Sequence, residues 1–153
     1  MATYASIFEP GVTDTLVGRI NQLTATTQPE WGKMNVGQML AHCNVAYDME
    51  TGELAVKNNF LTRWMLKTFV KKGVVNDVPY PKNGRTAPIF VITDERDFTA
   101  EQRKLINHLR RVAAQGADYY EGKENVSFGP MTAKEWSNMY HKHLDHHLTQ
   151  FGV

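Results

Sequence analysis

The chain has a single cysteine, Cys43, in 153 residues. One thiol excludes an intramolecular disulfide and points to a reducing compartment. Long apolar runs are also missing, and none approaches the length of a membrane span. The N-terminus, Met1-Ala2-Thr3-Tyr4-Ala5-Ser6, has neither a basic start nor an apolar signal run. No sign of charge dominates: 17 Lys and Arg stand against 16 Asp and Glu, a formal net charge of +1. That balance gives no reason to expect a nucleic-acid partner. Internal repeats, low-complexity tracts and linkers are absent. These absences leave a soluble, cytoplasmic protein, read as one domain over residues 1–153 with one sizeable core.

What is present is helical periodicity. Leu16, Val17, Ile20 and Leu23 predict a first helix over 13–26, and the loop 26–32 follows. Asn35 with Gln38 is a capping-box pattern and opens a second helix over 35–50. Met39, His42, Cys43, Ala46 and Met49 share one of its faces, with Cys43 read as a core residue. A third helix is predicted over 58–72. Its Arg63, Lys67 and Lys71 form a narrow basic stripe, read as a solvated face, with an anion- or membrane-binding patch as the sharper alternative. From Gly73 to about Asp97, Pro79, Pro81, Asn83-Gly84 and Pro88 break the pattern. Ile89-Phe90-Val91-Ile92 reads as a short extended piece, and the whole segment as a lid or a packed crossover. A fourth helix is expected over 99–115, opened by Thr99 and Gln102, with His108 at the surface. Gly116–Pro130 is a loop. Thr132 and Glu135 open a last helix over 132–150.

Four of the six histidines lie in that last helix. His143 and His147 are four residues apart, which places both imidazoles on one helical face. Successive residues turn by about 100°, so Trp136, Tyr140 and Phe151 share that stripe, with Gln150 on its edge. His141, Lys142 and Asp145 point outward. Histidines on a core-facing stripe need hydrogen-bond partners or a metal. A solvated His-rich tail, or core histidines satisfied by neighbours, remains the alternative for such a pair taken alone. His42 is a third inward histidine on another helix. Three imidazoles on facing helices leave a coordination position open, the pattern of catalytic rather than structural sites.

The stretch Trp31-Gly32-Lys33-Met34-Asn35-Val36-Gly37-Gln38-Met39-Leu40-Ala41-His42-Cys43 resembles the second-helix signature of the DinB-like superfamily. Phe128-Gly129-Pro130-Met131, Glu135-Trp136 and His143-Leu144-Asp145-His146-His147-Leu148-Thr149-Gln150 resemble its HxxxHxxQ closing motif, most like a branch known only as a domain of unknown function. Residues 51–98 carry no part of the likeness. The resemblance implies an all-α fold, an up-down-down-up four-helix bundle, here with an extra short helix and a long irregular loop. It also implies frequent dimers and a divalent metal held by His42, His143 and His147.

Among functions, the resemblance implies transfer of a low-molecular-weight thiol to an electrophile, since relatives include thiol transferases. A metal-dependent hydrolase and a non-catalytic dimeric module with a structural metal are the alternatives. In the module, the apolar face of helix 58–72 makes the dimer. Gln150 is a candidate for orienting a ligand or substrate, and Tyr140 for donating a proton. Three imidazoles plus water accept zinc, nickel, iron or manganese. Metal and protons compete for the rings, and with an ordinary histidine pKa of about 6.5 that competition is expected as pH falls through about 6 to 5.

Overall fold

Each helix starts where a side chain can satisfy its first free backbone N–H groups. The computed structural model describes residues 3–153. Its elements are α1 (Val12–Ile20), α2 (Val36–Thr51), α3 (Phe60–Met65), a π-helical segment (Leu66–Val70), α4 (Lys71–Val75), α5 (Phe98–Tyr120) and α6 (Ala133–Gln150). Among the described residues, the strands are limited to a two-residue antiparallel ladder, β1 (Glu124–Asn125) and β2 (Gly129–Pro130). The expectation of a mostly helical protein is met. Among the described residues, no helix is long and apolar enough to cross a membrane.

The capping boxes at Asn35–Gln38 and Thr132–Glu135 form as the sequence predicts. Three boundaries differ. α1 stops at Ile20, well before residue 26, because the Thr27 hydroxyl accepts the Thr24 N–H at 2.8 Å and offers the backbone a turn instead. Leu23 still reaches the core from that turn. α5 is capped by Asp97, which accepts from Ala100 N at 2.7 Å, while Gln102 donates to the Ile20 carbonyl at the end of α1. At Gly116 (φ 76°, ψ 170°) α5 breaks but re-enters helix. The reason for re-entry is Tyr120, which is fully buried between Phe8 and Trp136. The expected helix 58–72 is the composite α3–π–α4, begun by Asn59, which accepts from Thr62 N at 2.8 Å.

α5 packs against α1, α2 and α6, and α6 also touches α1, α2 and α4. One cluster of buried side chains joins them, with Ile20, Met39, Leu40, Leu105, Val112 and Leu148 all excluded from water. The segment between α4 and α5 lies on α2. It is held by Gln38 Nε2 donating to the Asp94 carbonyl, and it contains a 3₁₀ turn, Pro88–Phe90, where a short extended piece was expected.

Three side chains that the helical wheel places outward or at the surface are not free. Lys142 is 0% exposed. Its Nζ donates to the Gly73 carbonyl (2.7 Å), the Asn76 carbonyl (3.0 Å) and Asn76 Oδ1 (2.8 Å), and it lies 4.6 Å from the Tyr80 ring centroid. Those oxygens sit at the C-terminal end of α4, where carbonyls lack helical donors and a cation is favoured. Burial pushes this ammonium down to about 8, opposed by Asp77. His141 Nδ1 donates to the Ala5 carbonyl at 2.7 Å and ties the N-terminal arm to α6. His108 is buried, stacked on Tyr47 with its Nε2 3.0 Å from Asp48 Oδ1. In the basic stripe Lys67 stays exposed, while Arg63 pairs with Glu124 at the surface and Lys71 with Glu135.

Lys142 thus staples the α3–π–α4 arm to the histidine-bearing helix. Lys142→Ala is expected to lower the unfolding free energy by about 2–4 kcal/mol, from lost packing and orphaned carbonyls. Lys142→Met, which keeps the stem, is expected to fall between. Urea unfolding measures both, and an alanine variant as stable as wild type refutes the staple.

Candidate metal centre

α2 and α6 lie against each other so that His42 from one and His143 and His147 from the other converge. Each offers one ring nitrogen, and the three nitrogens lie within 4.8 Å of one another. Ring centroids are 4.8 Å apart for His42–His143, 4.5 Å for His42–His147 and 4.9 Å for His143–His147. His42 and His147 are buried, and His143 keeps a partly exposed edge. The fold therefore brings together the three histidines that lie on the inward faces of the two helices.

Two of the rings have fixed tautomers. His42 Nδ1 is 2.7 Å from the Phe90 carbonyl, which only accepts, so Nδ1 carries the proton and Nε2 presents a lone pair. Gln150 Nε2 donates to the Trp31 carbonyl at 2.7 Å, which turns Oε1 towards His147 Nδ1, also at 2.7 Å. His147 Nδ1 must donate there, leaving its Nε2 as a lone pair. His42 Nε2 and His143 Nε2 face each other at 2.8 Å. Two such nitrogens require a proton or a cation between them. Three convergent imidazoles, two with outer nitrogens engaged by carbonyl oxygens, form a donor set that could hold a divalent metal ion.

The electrostatics suit that role. Burial lowers the pKa of His42, against the opposing bond to Phe90. Burial, followed by repulsion from His42, His147 and His146, holds His143 well below the ordinary value. Burial and His42 press His147 down to about 3, although its Gln150 bond opposes the shift. Neutral rings are the form with a free lone pair. The pH window taken from an ordinary histidine must therefore move to more acid solution.

A groove of about 590 Å³ opens onto His42 and His147. Trp31, Met34, Phe90, Ile92, Lys33 and His146 are among its lining residues. Lys82 lies over the Trp31 ring, 4.2 Å from its centroid. The segment between α4 and α5 thus forms one wall of the groove as well as supplying the Phe90 carbonyl. Gln150, a sequence candidate, is buried between His147 and Trp31 and also reaches the groove wall. Its place requires Gly32: at φ +85°, a Cβ there would lie 2.5 Å from Gln150 Nε2.

Tyr140 is placed differently from its candidate role. Its ring stacks on Tyr47 at 4.3 Å in the core, its hydroxyl has no partner among the described residues, and it does not line the groove. Burial, with Glu50 nearby, raises its phenol well above the ordinary value, which removes it as a proton donor to the groove. Cys43, next to His42, faces Met39 Sδ at 3.7 Å, and burial pushes its thiol up, so it is a core residue as read. Sequence reasoning missed three contributors: the Phe90 and Trp31 carbonyls, and His146 at the groove. The first two are backbone groups with no residue-type signature. The third was readable only as a member of a histidine-rich run.

Asp48, Glu53 and His108 also bring donor atoms together. The Lys104 ammonium already bridges the two carboxylates, at 2.8 Å from Asp48 and 3.1 Å from Glu53. The positive charge which that cluster calls for is supplied by the chain itself.

No curated protein and no solved structure matches the chain. A family model described as "Protein of unknown function (DUF1569)" matches residues 11–152, which takes in α1 to α6 and all three convergent histidines. The chain belongs to the DUF1569 family.

Proposed function

We propose that the protein binds a divalent metal through His42, His143 and His147 and transfers a low-molecular-weight thiol to an electrophile in the adjoining groove. The observation that carries this is the convergence of three neutral imidazole nitrogens, two of them on rings, His42 and His147, that line a groove large enough for a small molecule. The likeness of the Trp31–Cys43 and His143–Gln150 stretches to the DinB-like superfamily, a family of metal-binding four-helix bundles, supports both the ligand set and the reaction class. Zinc, nickel, iron and manganese all suit the donors.

When bound, such an ion supplies a positive charge that acidifies a thiol or water at its open position. The chain does the rest. The Phe90 carbonyl and Gln150 hold the His42 and His147 rings in one orientation. Trp31, Met34 and Phe90 give the groove apolar surface that displaces water, and Lys33 offers a positive group. Transfer forms a sulfur–carbon bond, expels the electrophile's leaving group and releases the thiol proton to solvent.

The test is metal-loaded protein incubated with a panel of low-molecular-weight thiols and electrophiles. Metal-dependent thiol consumption, lost in His143→Ala, supports the proposal. Ester or amide cleavage without thiol points to a hydrolase, and bound metal with neither activity points to a structural ion.

Elemental analysis is expected to show metal content falling sharply in His42→Ala, His143→Ala and His147→Ala but not in His141→Ala or His146→Ala. Gln150→Ala is expected to weaken metal affinity about 10–100-fold by freeing the His147 ring. Equal occupancy across all these variants would refute the ligand set.

The pH dependence has a definite sign. Folded-state histidine values lie below the unfolded value of about 6.5, so the unfolded chain binds more protons and stability falls as pH drops below about 6.5. The depressed values keep the rings neutral in the folded protein to lower pH than in the unfolded chain. The metal-induced rise in melting temperature is therefore expected to hold to lower pH than ordinary histidines would allow, while both melting temperatures drift down below about 6.5. It should fade only in more acid solution. Thermal unfolding with and without metal measures this, and an increment already halved at pH 6 would count against depressed values.

A further inference from the structure

The α3–π–α4 arm is amphipathic, with a broad apolar side turned outward. Leu66 and Val74 rest on the core. Away from it, Phe60 is 86% exposed, Phe69 71%, Leu61 62%, Trp64 51% and Met65 50%. The π-helical segment gathers these side chains into one face. In a plain α-helix, residues five apart are rotated by about 140°, so Phe69 would turn away from Trp64. The i→i+5 bonding of Leu66–Val70 brings such residues nearly one above the other. The Trp64 and Phe69 rings accordingly meet edge-on, with centroids 6.0 Å apart.

The arm's own charge is of one sign. From Leu54 to Asn76 the chain carries Lys57, Arg63, Lys67, Lys71 and Lys72 and neither Asp nor Glu. Arg63 and Lys71 are neutralised by Glu124 and Glu135, acids from other elements. Lys67 and Lys72 are exposed and have no ion pair among the described residues. Each follows by one position a residue turned towards the domain, Leu66 or Lys71. One position is roughly a quarter turn of helix, so both lysines stand at the flank of the apolar face.

We infer that this face docks on an anionic lipid bilayer, with Phe60, Trp64 and Phe69 among the headgroups and Lys67 and Lys72 against the lipid phosphates. Helices that lie in a bilayer interface combine these two features, an apolar face and lysines beside it. The lysine stems rest along the apolar surface while their charged ends reach the headgroups. Charge decides against a second copy of the chain as occupant. Across a two-fold axis the face meets itself, and no carboxylate on the arm is there to meet Lys67 and Lys72. An anionic bilayer answers both needs together: the rings leave water and the free cations find anions. The inference uses no residue of the metal centre and does not rest on the proposed reaction.

The experiment is co-sedimentation of the purified protein with vesicles of phosphatidylcholine alone, or of phosphatidylserine and phosphatidylcholine in equal amounts. The wild type is expected to pellet with the mixed vesicles at about 0.1 M salt and to be released at about 1 M, where charges are screened within about 3 Å. Its affinity for phosphatidylcholine alone is expected to be at least about 10-fold lower. Lys67→Gln/Lys72→Gln is expected to weaken binding to the mixed vesicles about 20-fold, roughly fivefold per lysine. Trp64→Ser/Phe69→Ser is expected to weaken it at least about 10-fold, through lost apolar burial. Circular dichroism checks that each variant keeps its helicity. If the aromatic pair unfolds the arm, Phe60→Ser, at the most exposed position, replaces it with the same expected direction. A wild type that pellets with neither vesicle overturns the inference. So does binding that is equal for the two compositions, or that survives either double substitution unchanged. A protein that ignores vesicles but forms a dimer sensitive to Trp64→Ser/Phe69→Ser overturns it in favour of self-association.

Discussion

Much of this protein follows from one requirement: three imidazoles gathered at the edge of a core must present lone pairs to a common point. A histidine ring has two nitrogens, and a neutral ring puts its proton on one of them. Only an acceptor behind the ring ensures that the proton sits on the outer nitrogen. The Phe90 carbonyl does this for His42 and Gln150 for His147. Burial then does the second half of the work by penalising the charged form, so that the rings stay neutral in water at pH 7.

That requirement explains features far from the rings. Gln150 must itself be held, which the Trp31 carbonyl does, and the chain beside it must be glycine to leave room. Phe90 must be held at α2, which is why the irregular segment before α5 lies on that helix, anchored at Asp94 by Gln38. Gln38 thus serves twice, closing the α2 capping box and pinning the groove wall. Lys142, next to His143 in sequence, fastens the opposite side of α6 to α4. The helix that carries two of the three imidazoles is thereby fixed on both flanks.

The α3–π–α4 arm obeys a different logic. Its inner side is tied down by two ion pairs and by Lys142, and its outer side carries rings that touch mainly one another. The sequence shows Arg63, Lys67 and Lys71 as a narrow basic stripe beside a broad apolar face. The partners of two of these cations, Glu124 and Glu135, come from distant elements and leave no local signal.

What the sequence determined by itself is what short-range physics controls. Asn35 with Gln38 and Thr132 with Glu135 close their capping boxes within four residues, so both helix starts were legible. The four-residue spacing of His143 and His147 set a shared face, and the Met39–Cys43 register set His42 inward. Tertiary structure decided the rest. The early end of α1, the cap at Asp97 and the re-entry of α5 after Gly116 depend on competing partners that local propensity does not rank. The burial of His108 and Lys142 depends on which helix end lies opposite each. The tautomers of His42 and His147 depend on acceptors brought in from the Phe90 turn and from Gln150 as held by Trp31. A backbone carbonyl is carried by every residue type, so no sequence pattern marks the two that matter, and only the folded chain brings them to the rings.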